Sequence, residues 1–249
     1  MQTEIFRMPG KEITGKTRGK MIDSVEKIVT RYLASVTLEK IEYKNKTYLP
    51  KALRVSEEIF FQRMTCVEKC GACCHRFSLD YLPSEVERAA NQNAKDLLEK
   101  RLILLNGQEF EMYTDTQENN SDHSCRHLNK ETGRCGIHLS HPFSCDFELL
   151  RFHHFEEAQT PNQLSHRPFG RGWNMKRIDG EKGVLCEWYT KPCDQGQIDD
   201  MVRKLTRLKE WADYFKLTTT LPAIISWVKR GPHTKPLIVG PENEKKGLF

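Results

Sequence analysis

No stretch of the 249-residue chain approaches the roughly 18 consecutive apolar residues that read as a membrane span. A membrane-spanning helix is therefore not expected, nor is a membrane partner. Met1 to Lys20 mixes charges with glycines and lacks the apolar stretch of a secretory leader. The expected compartment is the cytoplasm, where thiols stay reduced. Neither sign of charge dominates. The formal net charge is +5, short of the strongly basic balance that marks a nucleic-acid-binding domain. There is no internal repeat, low-complexity block or phosphate-binding glycine loop. Those absences exclude a repeat architecture and P-loop chemistry.

What the chain does have is cysteine, nine in all. The count is odd, and most of the cysteines are clustered. A secreted disulfide framework usually has an even count behind a signal peptide. Reduced, closely spaced thiols without an export signal are better read as thiolate ligands. With 38% apolar and 29% charged residues, the rest of the chain suits a modest core in one large domain or two small ones.

The expected class is α+β: a small irregular cysteine-rich core with short hairpins, flanked by helices that include a C-terminal helical pair. Residues 1–20 read as a flexible basic arm. Residues 21–231 read as one domain, with its metal-binding core at 66–145 and its helical part at 197–231. Residues 232–249, with three prolines and many charges, read as a tail. Ile22–Leu33 has helical spacing. Thr37–Tyr43 and Thr47–Leu49 flank a Lys44-Asn45-Lys46 break and read as a hairpin. Ser56–Met64 reads as a short helix. Ser84 with Glu87 reads as a capping box that opens a helix running to about Arg101. Leu102–Leu105 and Gln108–Tyr113 flank Asn106-Gly107, the favoured pair for a type I′ turn. Val184–Tyr189 reads as a strand. Gln197–Lys216 carries one apolar stripe, and a second helix starts near Pro222 and stops at Gly231.

The leading cluster is Cys66-Val-Glu-Lys-Cys70-Gly-Ala-Cys73-Cys74. Gly71 permits a tight backbone turn, so that successive sulfurs can converge. Four cysteines in nine residues are not explained by packing alone, although a single buried cysteine often is. A second group holds Cys125, Cys135 and Cys145, with His138 and His141 between the last two. Adjacent Cys73 and Cys74 seldom serve one ion, so the second group is expected to add at least one ligand. Cys186 and Cys193 form a third pair, for which packing and ligation are evenly balanced. His75, His138 and His141 are read as neighbours of the site rather than as ligands.

Cys70-Gly71-Ala72-Cys73-Cys74, then Cys125-x-His-Leu, Cys135-x-Ile-His and Pro142-x-x-Cys145, resemble the zinc- or iron-chelating CxxCxxCC (YkgJ-like) cysteine cluster family. The resemblance covers about Cys66 to Cys145. It departs in its first gap, three residues instead of two, and in His138 and His141, where the family often has Tyr and Arg. Relatives in that family include flagellin lysine methylase, which carries the cysteines together with methyl transfer. The resemblance thus implies a metal or iron–sulfur site but carries over no activity.

The reading favoured is a protein that binds a metal or an iron–sulfur cluster, such as [4Fe–4S], in a structural or redox role. An iron–sulfur cluster is preferred over zinc because clustered thiolates outnumber nearby histidines. Two alternatives stay open. One is a cluster-dependent enzyme of redox or methyl-transfer type, since Cys66-x3-Cys70-x2-Cys73 has the spacing of radical SAM enzymes. Ala72 and Cys74 are foreign to that pattern, however, and no β/α alternation supports a barrel. The other is an accessory factor with a protein or nucleic-acid partner, motivated by basic residues interleaved with Phe169 and Trp173 in residues 166–177.

Overall fold

The computed structural model describes residues 3–5, 24–55, 63–66, 79–89, 98–115, 125–129, 131, 134–137, 140–146, 186–189, 194–231 and 235–241. Cys70, Cys73, Cys74, Cys193, His75, His138 and the basic segment 166–177 lie outside them, as does most of the expected helix at 56–64.

The fold is α+β. Ser24–Lys27, Ile28–Leu33 and Ala34–Val36 run on as one helical stretch, α1, whose middle is a π-helix. A five-stranded antiparallel sheet follows, ordered β3-β2-β7-β8-β6. Its strands are Lys46–Tyr48 (β3), Ile41–Tyr43 (β2), Glu99–Leu105 (β7), Gln108–Asp115 (β8) and Leu79–Tyr81 (β6). Both expected hairpins are present. Lys44 and Asn45 (φ +48° and +60°) and Asn106 and Gly107 (φ +50° and +73°) take the left-handed conformations of primed turns. Asn106 also ties β2 to β7, because its Oδ1 accepts the Glu42 N–H at 2.6 Å and its own N–H donates to the Glu42 carbonyl at 3.0 Å.

β7 begins at Glu99, so the last residues of the expected helix to Arg101 are strand instead. They pair with β8, Lys100 opposite Tyr113 and Arg101 opposite Met112. Cross-strand pairing overrides the helix-compatible local composition here. The helix in this region, α2, is Pro83–Ala89. It starts before the expected cap. Pro83 takes the first helical position, and Glu85, third in the helix, reaches back to the Leu82 N–H at 2.9 Å. Met64, expected in a helix, lies in strand β5, Arg63–Cys66.

Helices α4 (Gln195–Tyr214) and α5 (Leu221–Lys229) carry much of the main core. Ile198, Met201, Leu205, Leu208, Trp211 and Ala212 of α4 are buried together with Ile224, Trp227 and Val228 of α5. Val25, Ile28, Val29, Tyr32 and Leu33 of α1 and the inner faces of β7 and β8 join them. Ile103 and Phe110, cross-strand partners, both point into this core. Gly231 (φ +80°) follows the end of α5.

Two segments expected to be unstructured contain strands. Leu237–Val239 (β12) pairs antiparallel with Leu53–Val55 (β4), and Val239 is part of the main core. Thr3–Ile5 (β1) pairs with Cys186–Tyr189 (β11), which also pairs with β5. Three-residue strands show no periodicity in sequence, and a free strand edge templates them. No helix among the described residues is long and apolar enough to cross a membrane.

Candidate metal centre

β6 and β8 carry a small apolar cluster separate from the main core. It consists of Leu79, Tyr81, Val86, Cys125 and Leu128, with Leu98, Tyr113 and Cys145 packed against it. Cys125 and Cys145, twenty residues apart in sequence, are thus brought to one place. Neither they nor Cys135 is in a disulfide. Cys125 is buried, while Cys135 and Cys145 are half-buried.

Local turns set these positions. The Leu128 N–H closes a turn onto the Cys125 carbonyl at 3.0 Å. Leu128–Asn129 (β9) then pairs with Arg134–Cys135 (β10), Cys135 standing opposite Leu128. The Gly136 N–H donates to the His127 carbonyl at 2.7 Å. A Cβ at Gly136 would meet that oxygen at 3.3 Å, so glycine suits the close approach.

Cys145 lies in α3, a short helix over Phe143–Asp146. Three contacts fix it. Phe143 is fully buried between Tyr32 of α1 and Trp211 of α4, with ring centroids at 6.5 Å and 6.2 Å. The Ser144 hydroxyl oxygen accepts the Asp80 N–H at 3.2 Å. The Phe143 N–H donates to Glu85 at 2.8 Å. Glu85 also accepts the Leu82 N–H and, at 3.2 Å, the Trp211 indole N–H. Burial pushes this carboxyl up to about 7 against the pull of those three donors.

Buried charge surrounds the cluster. Asp115 is fully buried and holds Arg126 by two bonds, Nε at 2.6 Å and Nη2 at 2.8 Å. That pairing raises the Arg126 guanidinium, which stands near Cys125 and Tyr81. Fully buried Asp80 accepts from the Ser24 hydroxyl and, at 2.5 Å, from Thr114. Burial, reinforced by Cys145, Asp115 and Cys125, pushes the Tyr81 phenol above its ordinary range. Tyr81 stays protonated and therefore faces the thiols as a neutral group.

The histidines divide. Nη1 of buried Arg207 stands 3.0 Å from Nδ1 of His141 and 2.8 Å from its carbonyl oxygen. A guanidinium only donates, so His141 Nδ1 accepts and the neutral ring carries its proton on Nε2. Nδ1 of His141 is thereby engaged by Arg207. Burial lowers half-buried His127 and keeps it neutral. Among the described residues, no group of three or more histidine, cysteine, aspartate or glutamate side chains is placed to hold a metal ion.

Residues 65–164 match the CxxCxxCC family. Its description is a putative zinc- or iron-chelating domain. The matched segment is about two-fifths of the chain and encloses Cys66 to Cys145 but neither Cys186 nor Cys193. No curated protein and no solved structure matches the chain.

Sequence reasoning singled out the cysteines within the matched segment but not their surroundings. Glu85, Tyr81, Asp115, Arg126 and Arg207 were not singled out. Pro83-Ser84-Glu85 was the one available signal, since proline at the first helical position makes Glu85 the third. Asp115 and Arg126 meet across ten intervening residues, which no local pattern reports.

Proposed function

We propose that the chain holds an iron–sulfur cluster on the thiolates of its chelating domain, in a structural or redox role. The ligands are drawn from Cys66, Cys70, Cys73, Cys74, Cys125, Cys135 and Cys145. The supporting observation is the gathering of Cys125 and Cys145 on the apolar cluster that also contains Leu79. Leu79 ends the segment that carries Cys70, Cys73 and Cys74. Cys74 is five residues before it, a tether of at most about 18 Å. The two cysteine groups are therefore joined by chain short enough to bring them to one centre. Seven clustered cysteines outnumber the neighbouring histidines, and the Arg207 contact at His141 Nδ1 further favours the thiolate donors that iron–sulfur clusters use.

A second reading, zinc on cysteines with one histidine, draws on neutral, half-buried His127. Metal analysis of the full chain purified without oxygen separates the two. Iron and acid-labile sulfide with a brown visible spectrum support the cluster. A colourless protein with one or two equivalents of zinc per chain overturns it in favour of zinc, and a metal-free protein overturns both.

A further inference from the structure

Cys66 is the last residue of β5 and Cys186 the first of β11, and the two stand directly opposite each other in the antiparallel register. The pairing continues with Thr65 opposite Glu187, Met64 opposite Trp188 and Arg63 opposite Tyr189. Residues paired in this way share one face of a sheet, with Cβ atoms roughly 4.5–5.5 Å apart. Two thiolates on one tetrahedral metal ion, whether zinc or one iron of a [2Fe–2S] cluster, at metal–sulfur bonds of about 2.3 Å, have sulfurs roughly 3.8 Å apart. The register thus sets two cysteines at directly opposite positions, the arrangement from which a single zinc or one iron can take both thiolates.

The position along the chain points the same way. Cys66 opens the cysteine run that continues through Cys70, Cys73 and Cys74, whereas Cys186 lies beyond the matched segment 65–164. β11 lies between β1 and β5, so it is paired on both sides. We propose that Cys186 is a metal ligand supplied from outside the chelating domain, forming with Cys66 a cross-strand thiolate pair. The inference rests on the reading that the clustered cysteines hold a metal. It adds that the domain by itself lacks one ligand. It also separates Cys186 from Cys193, which the sequence alone left as equals.

The test uses the full chain purified without oxygen. It is alkylated with iodoacetamide before and after chelator treatment, and every cysteine is mapped by mass spectrometry. The expected result is that Cys186 and Cys66 are protected together in the loaded protein and become reactive together once metal is removed. If Cys186 reacts at the same rate in both states while Cys66 and Cys70 are protected, the proposal fails and the metal-binding reading stands. If no cysteine is protected and no metal is bound, both fail. A Cys66–Cys186 disulfide in the loaded protein also overturns the proposal. Zn2+ affinity is the second readout. Loss of an outer hydrogen-bond partner alone costs 10–100-fold, so Cys186→Ser should weaken Zn2+ binding by more than about 100-fold. Cys186→His, which restores a donor, should recover much of it. Equal losses in both variants mean a packing role and overturn the ligand assignment.

Discussion

Replacing Glu85 with glutamine removes one acceptor from a carboxyl that satisfies three buried N–H groups. One oxygen takes Leu82 N at 2.9 Å and the Trp211 indole at 3.2 Å, and the other takes Phe143 N at 2.8 Å. A neutral carboxyl keeps an acceptor on both oxygens, whereas an amide keeps one on its single oxygen. At least one buried donor is then left without a partner, at a cost of about 1–3 kcal/mol. The pH dependence is the sharper signature. Burial raises Glu85 from 4.5 to about 7 in the folded chain. Between those values the folded chain keeps a proton that the unfolded chain has lost. The resulting stabilisation is complete below the unfolded value and is lost as pH rises through about 7, a change of about 3 kcal/mol. Urea unfolding followed by tryptophan fluorescence, from pH 5 to pH 8, reads both effects. Wild type should lose stability across that window through this group, and Glu85→Gln should show a flatter profile, so that the mutational cost shrinks as pH rises. Parallel profiles for the two proteins would refute the buried-carboxyl argument.

Other substitutions probe separate parts of the fold. Arg126→Met removes both bonds that the guanidinium makes to fully buried Asp115 and should destabilise the chain by about 3–5 kcal/mol, while adding Asp115→Asn should recover part of that loss in a denaturation cycle. Gly240 has φ +146°, and a Cβ there would meet the Ala52 Cα at 2.7 Å. Gly240→Ala should therefore lower the thermal midpoint and deprotect β12 amides in hydrogen exchange; an unchanged midpoint would mean that β12 contributes little. Leu205 is fully buried in the main core, so Leu205→Ala should cost about 2–5 kcal/mol in the same urea assay. Cys145→Ser should reduce bound metal, whereas exposed Ser84→Ala should not, as metal analysis of the purified chains can check.

Much of the fold could be read in the sequence where the signal is local. Asn106-Gly107 marked its hairpin because a primed turn needs two left-handed residues. The α4 stripe from Ile198 to Ala212 marked a helix because one face recurs every 3.6 residues. Signals failed where the partner is distant. β12 pairs with β4, about 180 residues away, and three residues among prolines carry no period of their own. Glu99–Arg101 looked helical because charged residues suit an exposed helix, yet their ladder with Met112–Thr114 decides the conformation. The capping signal was found two residues late, since Ser84 is a stronger textual cue than Pro83. At the site, cysteine spacing marked the thiols, but the packing of Cys125 and Cys145 around Tyr81 is set by β6, β8 and α3 together. The opposition of Cys66 and Cys186 likewise depends on strand pairing across more than a hundred residues.

The clustered thiols are proposed to hold an iron–sulfur centre. Iron, zinc and acid-labile sulfide, measured together with the visible spectrum on the full chain purified without oxygen, test it most directly. Iron and sulfide are expected in comparable amounts, with a broad visible absorption that chelation abolishes along with part of the chain's thermal stability. A colourless, metal-free chain that melts at the same temperature before and after chelation would contradict it.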